Sequence, residues 1–324
     1  MRTEQVLSLL SDARKIGVRT VSFSGGEPFV HPGFRELLAA AVDLGLQVEL
    51  VTNGTLVRPV DIAILERLKC VTVSIDGPQT VHDHIRGKSG AWHDTFKTLG
   101  LLARSSVKWG TNTVIQAANA EHLLDSWLEI RKVGRPSYVS FTHVEVVPET
   151  SHLIPCDTLA NVARIQLSEI KIQCENDRVH FNDADFVGKH YSLFSDKRRR
   201  YRPLYGCSIP GSFLGVSRWG IFPCWHQGRA IATYESLISA LQSDLCRSIV
   251  EEGLNRKCVG CNAANYSWNQ SWVEGITAAH DAGEWLEGLV YLTAAEREKD
   301  QLLTRRRTLP IIERTLRRPQ GGPQ

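Results

Sequence analysis

The sequence lacks the long apolar segments and the charge excess that mark membrane proteins and nucleic-acid-binding proteins. No run of residues approaches the roughly 18 consecutive apolar residues of a membrane-spanning helix. The formal net charge is only +3, which by itself implies neither nucleic acid nor a membrane surface. The N-terminal segment is amphipathic and contains acidic residues, unlike a signal peptide. We therefore expect a cytoplasmic protein that binds neither nucleic acid nor membranes.

Methionine is also scarce, since Met1 is the only one, whereas cysteine is plentiful, with eight among 324 residues. Hydrophobic residues make up 42% and charged residues 23%, an ordinary globular composition with enough apolar material for one large domain or two. In a cytosolic protein, cysteines more often bind metal or take part in redox chemistry than form disulfides. The cysteines are therefore candidate ligands.

Strand and helix signals alternate along the first half of the chain. Short valine-rich apolar segments predict strands, and apolar residues at three- and four-residue spacing predict helices. Such alternation is typical of right-handed βαβ units with a parallel sheet, so the predicted fold class is α/β. The predicted strands are 18–23, 47–52, 70–75, 107–115 and 138–146, and the predicted helices are 3–16, 33–43, 60–68, 93–102, 121–132 and 158–174.

The pattern changes near residue 150, where we place a domain boundary. Residues 151–202 are expected to form a linking helical segment. Residues 203–275 are rich in Cys, Gly and Trp, with strand signals at 215–222 and a helix at 234–241, and predict a small α+β domain. Residues 276–324 are expected to form a C-terminal helix and a basic tail.

Polar, glycine-containing segments follow three of the predicted strands: SGGEP at 24–28, TNGT at 52–55 and SIDG at 74–77. The glycines of the first segment allow close approach to a ligand and positive φ angles. The Glu27 carboxylate suits an ammonium group, although a strand-to-loop turn with a solvated glutamate explains this segment equally well. Three such segments at the carboxyl edge of one sheet indicate a binding site.

The segments SGGEP, TNGT and SIDGP, with HDHIRG at 82–87, resemble the radical S-adenosylmethionine (radical SAM) superfamily, in the branch with SPASM or twitch domains. The resemblance covers residues 3–146 and implies a partial (β/α) barrel. It also implies that the first segment contacts the amino group of S-adenosylmethionine, and that the later ones contact its ribose, carboxylate or adenine. Arg86 either meets the carboxylate or holds its own loop. The implied cofactor-binding residues are Gly25, Gly26, Glu27, Pro28, Asn53, Ser74, Asp76 and Arg86.

The family's catalytic [4Fe–4S] cluster is held by a CxxxCxxC motif in the loop between its first strand and first helix. This sequence contains no CxxxCxxC and opens at that helix. We expect a truncated chain whose barrel lacks its first strand, rather than a pseudoenzyme that has lost the cluster. The catalytic cluster is expected only if the missing segment is restored.

Four cysteines of the second half form a candidate ligand set: Cys207, Cys224, Cys258 and Cys261. Their spacing suits a tetrahedral metal or a cluster, and leaves structural zinc or free thiols open. The resemblance implies a SPASM/twitch-type site with one auxiliary [4Fe–4S] cluster on these four. The remaining cysteines, Cys70, Cys156, Cys174 and Cys246, are expected to be unliganded small hydrophobic residues.

The resemblance implies an enzyme that cleaves S-adenosylmethionine reductively and uses the 5′-deoxyadenosyl radical to abstract hydrogen from a peptide or small-molecule substrate. An electron donor such as flavodoxin or ferredoxin is implied as a partner. A non-catalytic cluster-binding or peptide-recognition protein and a zinc-stabilised α/β protein are the alternatives. No catalytic residue is assigned, and Asp183, Asp185 and His190 are candidate bases by position alone.

Overall fold

The computed structural model describes residues 1–144, 148–181, 214–224, 229–232 and 236–254. None of the helices in these stretches is long and apolar enough to cross a membrane. Contacts divide the chain into two compact units. One is Thr20–Arg199, and the other combines Met1–Arg19 with Arg200–Gln324. These units do not coincide with the boundaries at residues 150, 202 and 275, which stay predictions.

The unit Thr20–Arg199 contains a six-stranded parallel sheet whose strands are ordered as they occur in the chain, which confirms the predicted α/β class. The strands are β1 Thr20–Phe23, β2 Gln47–Thr52, β3 Cys70–Ser74, β4 Trp109–Ile115, β5 Tyr138–His143 and β6 His180–Phe181. The N-terminal helix α1 spans Thr3–Lys15 in the other unit, and the helices of the sheet unit are α2 Phe34–Asp43, α3 Ile62–Leu65, α4 Gln79–Arg86, α5 Ala91–Ala103, α6 Leu123–Val133 and α7 Asp157–Asp177.

Two elements of this unit were not predicted, β6 and α4. Strand β6 has only two residues, and it is defined by its pairing with β5 rather than by a local pattern. Helix α4 is short and mostly polar, with His82 as its one buried residue and only Val81 and Ile85 as an apolar pair, so its sequence signal is weak. It ends at Gly87, whose φ of 62° gives a left-handed C-cap. The predicted helix 60–68 is shorter, because a 3₁₀ turn at Pro59–Asp61 precedes α3.

The two faces of the sheet differ in polarity and exposure. Alternate strand residues on one face are buried, and their side chains are mostly apolar: Val48, Leu50, Val71, Val73, Trp109, Thr111, Thr113, Ile115, Val139 and Phe141. Those on the opposite face are half-buried and mostly polar: Glu49, Thr72, Ser74, Asn112, Ser140 and Thr142. Because side chains alternate along a strand, the first face serves the core and the second remains partly open to solvent.

On the open face, the Tyr138 ring crosses the neighbouring strand at Gly110. Its hydroxyl lies 2.6 Å from the Thr72 hydroxyl on β3, so the side chain spans three strands. A Cβ atom built on Gly110 would lie 2.5 Å from both the Tyr138 ring and the Tyr138 carbonyl oxygen. Glycine is therefore required at position 110 for steric reasons.

The second unit has its own apolar core. Its elements are α1, the hairpin β7 Gly215–Ser217 and β8 Gly220–Phe222, and the helices α8 Leu237–Leu241 and α9 Asp244–Leu254. The hairpin confirms the strand signals at 215–222. The core residues are Leu9, Ala13, Ile16, Ile221, Ile231, Leu237, Ala240, Leu241, Cys246, Ile249 and Val250. Helix α1 thus shares a core with a segment more than 200 residues away in the sequence.

A pair of glycine substitutions tests the packing of Tyr138. Gly110→Ala places a methyl group against backbone and ring, so we expect a loss of unfolding free energy of about 3 kcal/mol or more. Gly100→Ala, in α5, meets only the flexible end of Arg104 at 3.4 Å and should raise stability by about 0.5–1 kcal/mol. Urea unfolding of both variants measures the difference, and equal effects would contradict this explanation.

Candidate functional site

The carboxyl ends of β1, β2 and β3 bring the three glycine-containing segments to one edge of the sheet. The strands are parallel neighbours, with Phe23 beside Leu50 and Thr52 beside Val73. The prediction that SGGEP, TNGT and SIDG share an edge is therefore confirmed. Open α/β sheets bind ligands at this edge.

The Glu27 carboxylate joins the first segment to the second. It accepts hydrogen bonds from the Asn53 backbone N–H at 2.7 Å and from the Thr52 hydroxyl at 2.9 and 3.0 Å. It also accepts one from the Phe29 N–H at 3.1 Å, which starts a 3₁₀ turn at Pro28. Glu27 is thus held by the protein rather than being a solvated turn residue, and its carboxylate fixes the distance between the two loops.

Gly25 and Gly26, by contrast, have open space where a side chain would lie. Both are exposed, and a Cβ atom on either would meet no atom within 4 Å. Gly25 has a φ of +124°, which side-chain-bearing residues rarely adopt. Packing does not require these glycines, so the open space beside Glu27 is available to a ligand.

The loop after β2 is held by α5 as well as by Glu27. The Thr95 hydroxyl donates to the Asn53 carbonyl at 2.8 Å, and the Thr98 hydroxyl donates to the Gly54 carbonyl at 2.5 Å. Gly54 has a φ of +79°, and a Cβ atom there would lie 3.3 Å from side-chain atoms of Thr95 and Val73. The loop therefore packs directly against α5.

Within this loop, the side chain of Asn53 forms a local turn. Its Oδ1 accepts hydrogen bonds from the Thr55 N–H at 2.8 Å and from the Thr55 hydroxyl at 2.9 Å. Those bonds fix which way the amide faces, and none of the hydrogen bonds found among the described residues uses its Nδ2. The amide is left with donors that a ligand can use.

The third segment is held by an ion pair between Asp76 and Arg86. The Arg86 Nε lies 2.5 Å from Asp76 Oδ2, and Asp76 is 3% exposed. Burial raises the pKa of the Asp76 carboxyl, against the opposing effect of Arg86. Arg86 therefore makes the loop-holding contact expected as one of its two roles, and a contact of either residue with S-adenosylmethionine stays a prediction.

His82 and Asn119 complete this part of the edge. The His82 Nδ1 accepts the Asp76 backbone N–H at 3.1 Å, which leaves the ring proton on Nε2. Burial lowers the pKa of His82 to about 4, and Arg86 acts in the same direction. The Asn119 Nδ2 donates at 2.9 Å to the carbonyls of Asp76 and Val114, which ties the loop after β3 to β4.

Comparison with known proteins shows which family this part of the chain resembles. Residues 1–126 match the Radical SAM superfamily. The N-terminal part of this chain is therefore similar to that superfamily. An AdoMet-dependent heme synthase of Methanosarcina barkeri is 30% identical over 147 residues, 44% of this chain and 41% of that protein. The subtilosin biosynthesis protein AlbA of Bacillus subtilis is 31% identical over 126 residues, 38% of this chain and 28% of AlbA. This chain therefore spans less than half the length of these relatives.

Solved structures of SuiB from Streptococcus suis share the fold. The structure bound to S-adenosylmethionine has a TM-score of 0.62 and 18% identity, covering 84% of this chain and 68% of that chain. The structure bound to precursor peptide SuiA has a TM-score of 0.60 and 19% identity, covering 82% and 66%. At this level of identity the likeness shows the fold alone, and it agrees with the predicted partial barrel.

Of the four cysteines that are predicted to be ligands, the structure describes only one. Cys224 is buried two residues after the end of β8, whereas Cys207, Cys258 and Cys261 lie outside the described residues. Among the residues that are described, no group of three His, Cys, Asp or Glu side chains is placed to hold a metal ion. The four-cysteine set stays a prediction.

The four cysteines expected to be unliganded have different environments. Cys174 and Cys246 are buried, as predicted, and burial raises the pKa of Cys174 to about 12 and that of Cys246 to about 11. Cys70 is half-buried on the open face of the sheet. Cys156 is exposed at the N-cap of α7, so it does not pack in the core as Cys174 and Cys246 do.

Several residues of the candidate site at this edge were missed from the sequence. Ser74 was predicted and lies half-buried on the open face, in register with Asn112, which was not. The buried hydroxyls of Thr95 and Thr98 were detectable in principle, because polar residues three apart on the buried face of a helix need partners. His82 lies in the quoted HDHIRG segment but was not assigned a role, and the contact of Asn119 with Asp76 joins residues 43 positions apart, which no local pattern specifies.

The low pKa of His82 predicts an acid-sensitive fold. An unfolded histidine binds a proton below about pH 6.5, whereas folded His82 does so only near pH 4. Stability should therefore fall as pH decreases through this range, by up to roughly 3 kcal/mol from this group. In His82→Asn, the amide oxygen still accepts the Asp76 N–H without titrating, so the loss should be shallower.

Urea unfolding of both proteins between pH 4 and pH 7 measures this slope. The raised pKa of Asp76 acts in the opposite direction in both proteins, so the comparison isolates His82. Parallel profiles for the two proteins would show that His82 does not cause the acid sensitivity.

Proposed function

We propose that this chain binds S-adenosylmethionine at the carboxyl edge of its sheet, as part of a radical SAM enzyme that acts on a peptide or a small molecule. The observation that carries the proposal is the joined edge itself. Glu27 fixes two family segments against each other, and beside it Gly25 and Gly26 are exposed with open space around them. Such a preformed, partly open arrangement suits a small charged ligand.

The groups at this edge match the chemistry of S-adenosylmethionine. Glu27 supplies a carboxylate beside exposed backbone carbonyls, which suits the ammonium group of the ligand. The unused Nδ2 of Asn53 supplies donors for a carboxylate, a ribose hydroxyl or an adenine nitrogen. The open face of the sheet, with Ser74 and Asn112, continues from this edge and offers uncharged hydrogen-bonding groups for the rest of the ligand or for a substrate.

A peptide substrate is supported by the names of related proteins. AlbA is a bacteriocin biosynthesis protein, and one SuiB structure contains a precursor peptide. The similarity to a heme synthase supports a small-molecule substrate as the alternative. The half-buried polar residues of the sheet, Ser74, Asn112, Ser140 and Thr142, are compatible with amide groups as well as with small polar molecules.

The two iron–sulfur clusters implied by the family fit this sequence differently. A catalytic cluster does not fit its residues, because the 324 residues contain no CxxxCxxC. An auxiliary [4Fe–4S] cluster fits the chemistry of Cys207, Cys224, Cys258 and Cys261, since thiolates are its usual ligands. We propose that these four hold it.

A second candidate function follows from the absent CxxxCxxC motif. A protein with the S-adenosylmethionine edge and an auxiliary cluster, but no catalytic cluster, binds its ligands without cleaving them. In that case the open face of the sheet recognises a peptide. A CxxxCxxC segment encoded in frame ahead of residue 1 would support the enzyme, because only a protein with a catalytic cluster releases 5′-deoxyadenosine on reduction.

Binding of S-adenosylmethionine by the full chain tests the proposed function. We expect saturable binding in anaerobic calorimetry, weakened about tenfold in Glu27→Gln, because the substitution removes charge-assisted hydrogen bonds to Asn53 and Thr52. Glu36→Gln, at an exposed position of α2, is the matched control and should bind like the unmodified chain. Absence of binding by the unmodified chain would refute the proposal.

Iron content tests the proposed auxiliary site. Anaerobic reconstitution of the full chain should give about 4 Fe per chain and visible charge-transfer absorption. Cys224→Ala should lose both, whereas Cys246→Ala, which replaces another buried cysteine in an apolar core, should retain them. One zinc per chain without iron would favour the zinc-stabilised alternative, and about 8 Fe would reveal a second ligand set.

A further inference from the structure

The peptide groups of Asn53 and Gly54 are held from two directions. On one side, Glu27 accepts the Asn53 N–H at 2.7 Å. On the other, α5 donates to the Asn53 carbonyl through Thr95 and to the Gly54 carbonyl through Thr98. The backbone of the loop after β2 is therefore held between the segment after β1 and helix α5.

The two threonines contribute differently to holding this loop. The Thr95 hydroxyl lies 2.8 Å from the Asn53 carbonyl and 2.9 Å from the Ala91 carbonyl of its own helix, so its single proton is shared. The Thr98 hydroxyl lies 2.5 Å from the Gly54 carbonyl, with no other acceptor among the described hydrogen bonds. Thr98 is thus the more specific donor.

Helix formation does not account for a threonine at position 98. Threonine is a weaker helix former than alanine or leucine, and its hydroxyl costs free energy when buried without a partner. Thr98 is 1% exposed in the interior of α5, so its hydroxyl depends on the Gly54 carbonyl. That carbonyl in turn has no access to water as a substitute partner, because Gly54 is itself buried.

We propose that Thr98 is a positioning residue for S-adenosylmethionine. By holding the Gly54 carbonyl, it keeps the Asn53–Gly54 loop in the conformation that presents the Asn53 Nδ2 to the ligand. Thr95 supports the same loop through the Asn53 carbonyl. This inference rests on the proposed function, and neither threonine contacts the ligand itself.

Two substitutions separate the hydroxyl of Thr98 from its shape. Thr98→Val keeps the volume and removes the donor, whereas Thr98→Ser keeps the donor and removes a methyl group. Thr113→Val is the matched control, because Thr113 is also a buried threonine, 2% exposed, but lies on β4 away from this loop. All three are made in the full chain, and thermal unfolding confirms that each variant folds.

The first measurement is hydrogen exchange of the loop, which does not depend on any ligand. The Gly54 N–H donates to the Thr52 hydroxyl and the Thr55 N–H donates to Asn53 Oδ1, so their protection reports the loop conformation. We expect at least fivefold faster exchange at these amides in Thr98→Val, and exchange rates close to those of the unmodified chain in Thr98→Ser and Thr113→Val.

The second measurement is the dissociation constant for S-adenosylmethionine. Thr98→Val should bind at least fivefold more weakly, while Thr98→Ser and Thr113→Val stay within twofold of the unmodified chain. Unchanged binding by Thr98→Val, or equal losses in Thr98→Val and Thr98→Ser, would overturn this inference and leave the proposed function intact. If the unmodified chain does not bind, the proposed function fails and the positioning role fails with it, whatever the exchange rates show.

Discussion

The carboxylate of Glu27 accepts hydrogen bonds from residues that follow two different strands, and the geometry of the candidate site depends on this contact. One oxygen receives the Phe29 N–H, the other receives the Asn53 N–H, and the Thr52 hydroxyl reaches both. Hydrogen bonds to a charged acceptor are stronger than neutral ones. The loops after β1 and β2 therefore behave as one connected structure with a defined spacing.

Further contacts extend this connection along the edge of the sheet. Helix α5 holds the second loop through Thr95 and Thr98, and Asn119 ties the third segment to β4. The Asp76–Arg86 pair holds the third segment to α4. These interactions are mostly buried, so each donor and acceptor needs its partner. A ligand at this edge would meet a surface that is already organised before binding.

Much of the fold could be predicted from the sequence because its signals are local. The strand at 47–52 is observed with the predicted bounds, since its alternating residues match a sheet with one buried face. Helix α4 and strand β6 could not be predicted in this way. The first is a short, mostly polar helix with only one apolar pair, Val81 and Ile85, and the second exists only through its pairing with β5.

For the candidate site, too, some features could be predicted from the sequence and others could not. The sequence by itself determined the strand–helix alternation, the three polar segments and their common edge, because parallel βαβ units must bring successive strand ends together. Only the tertiary structure decided that Glu27 is bound by Thr52 and Asn53, and that Arg86 pairs with Asp76. Only the tertiary structure also decided that α1 shares a core with residues beyond 220. Such partners lie far apart in the chain, and no local pattern specifies which side chains meet when the chain folds.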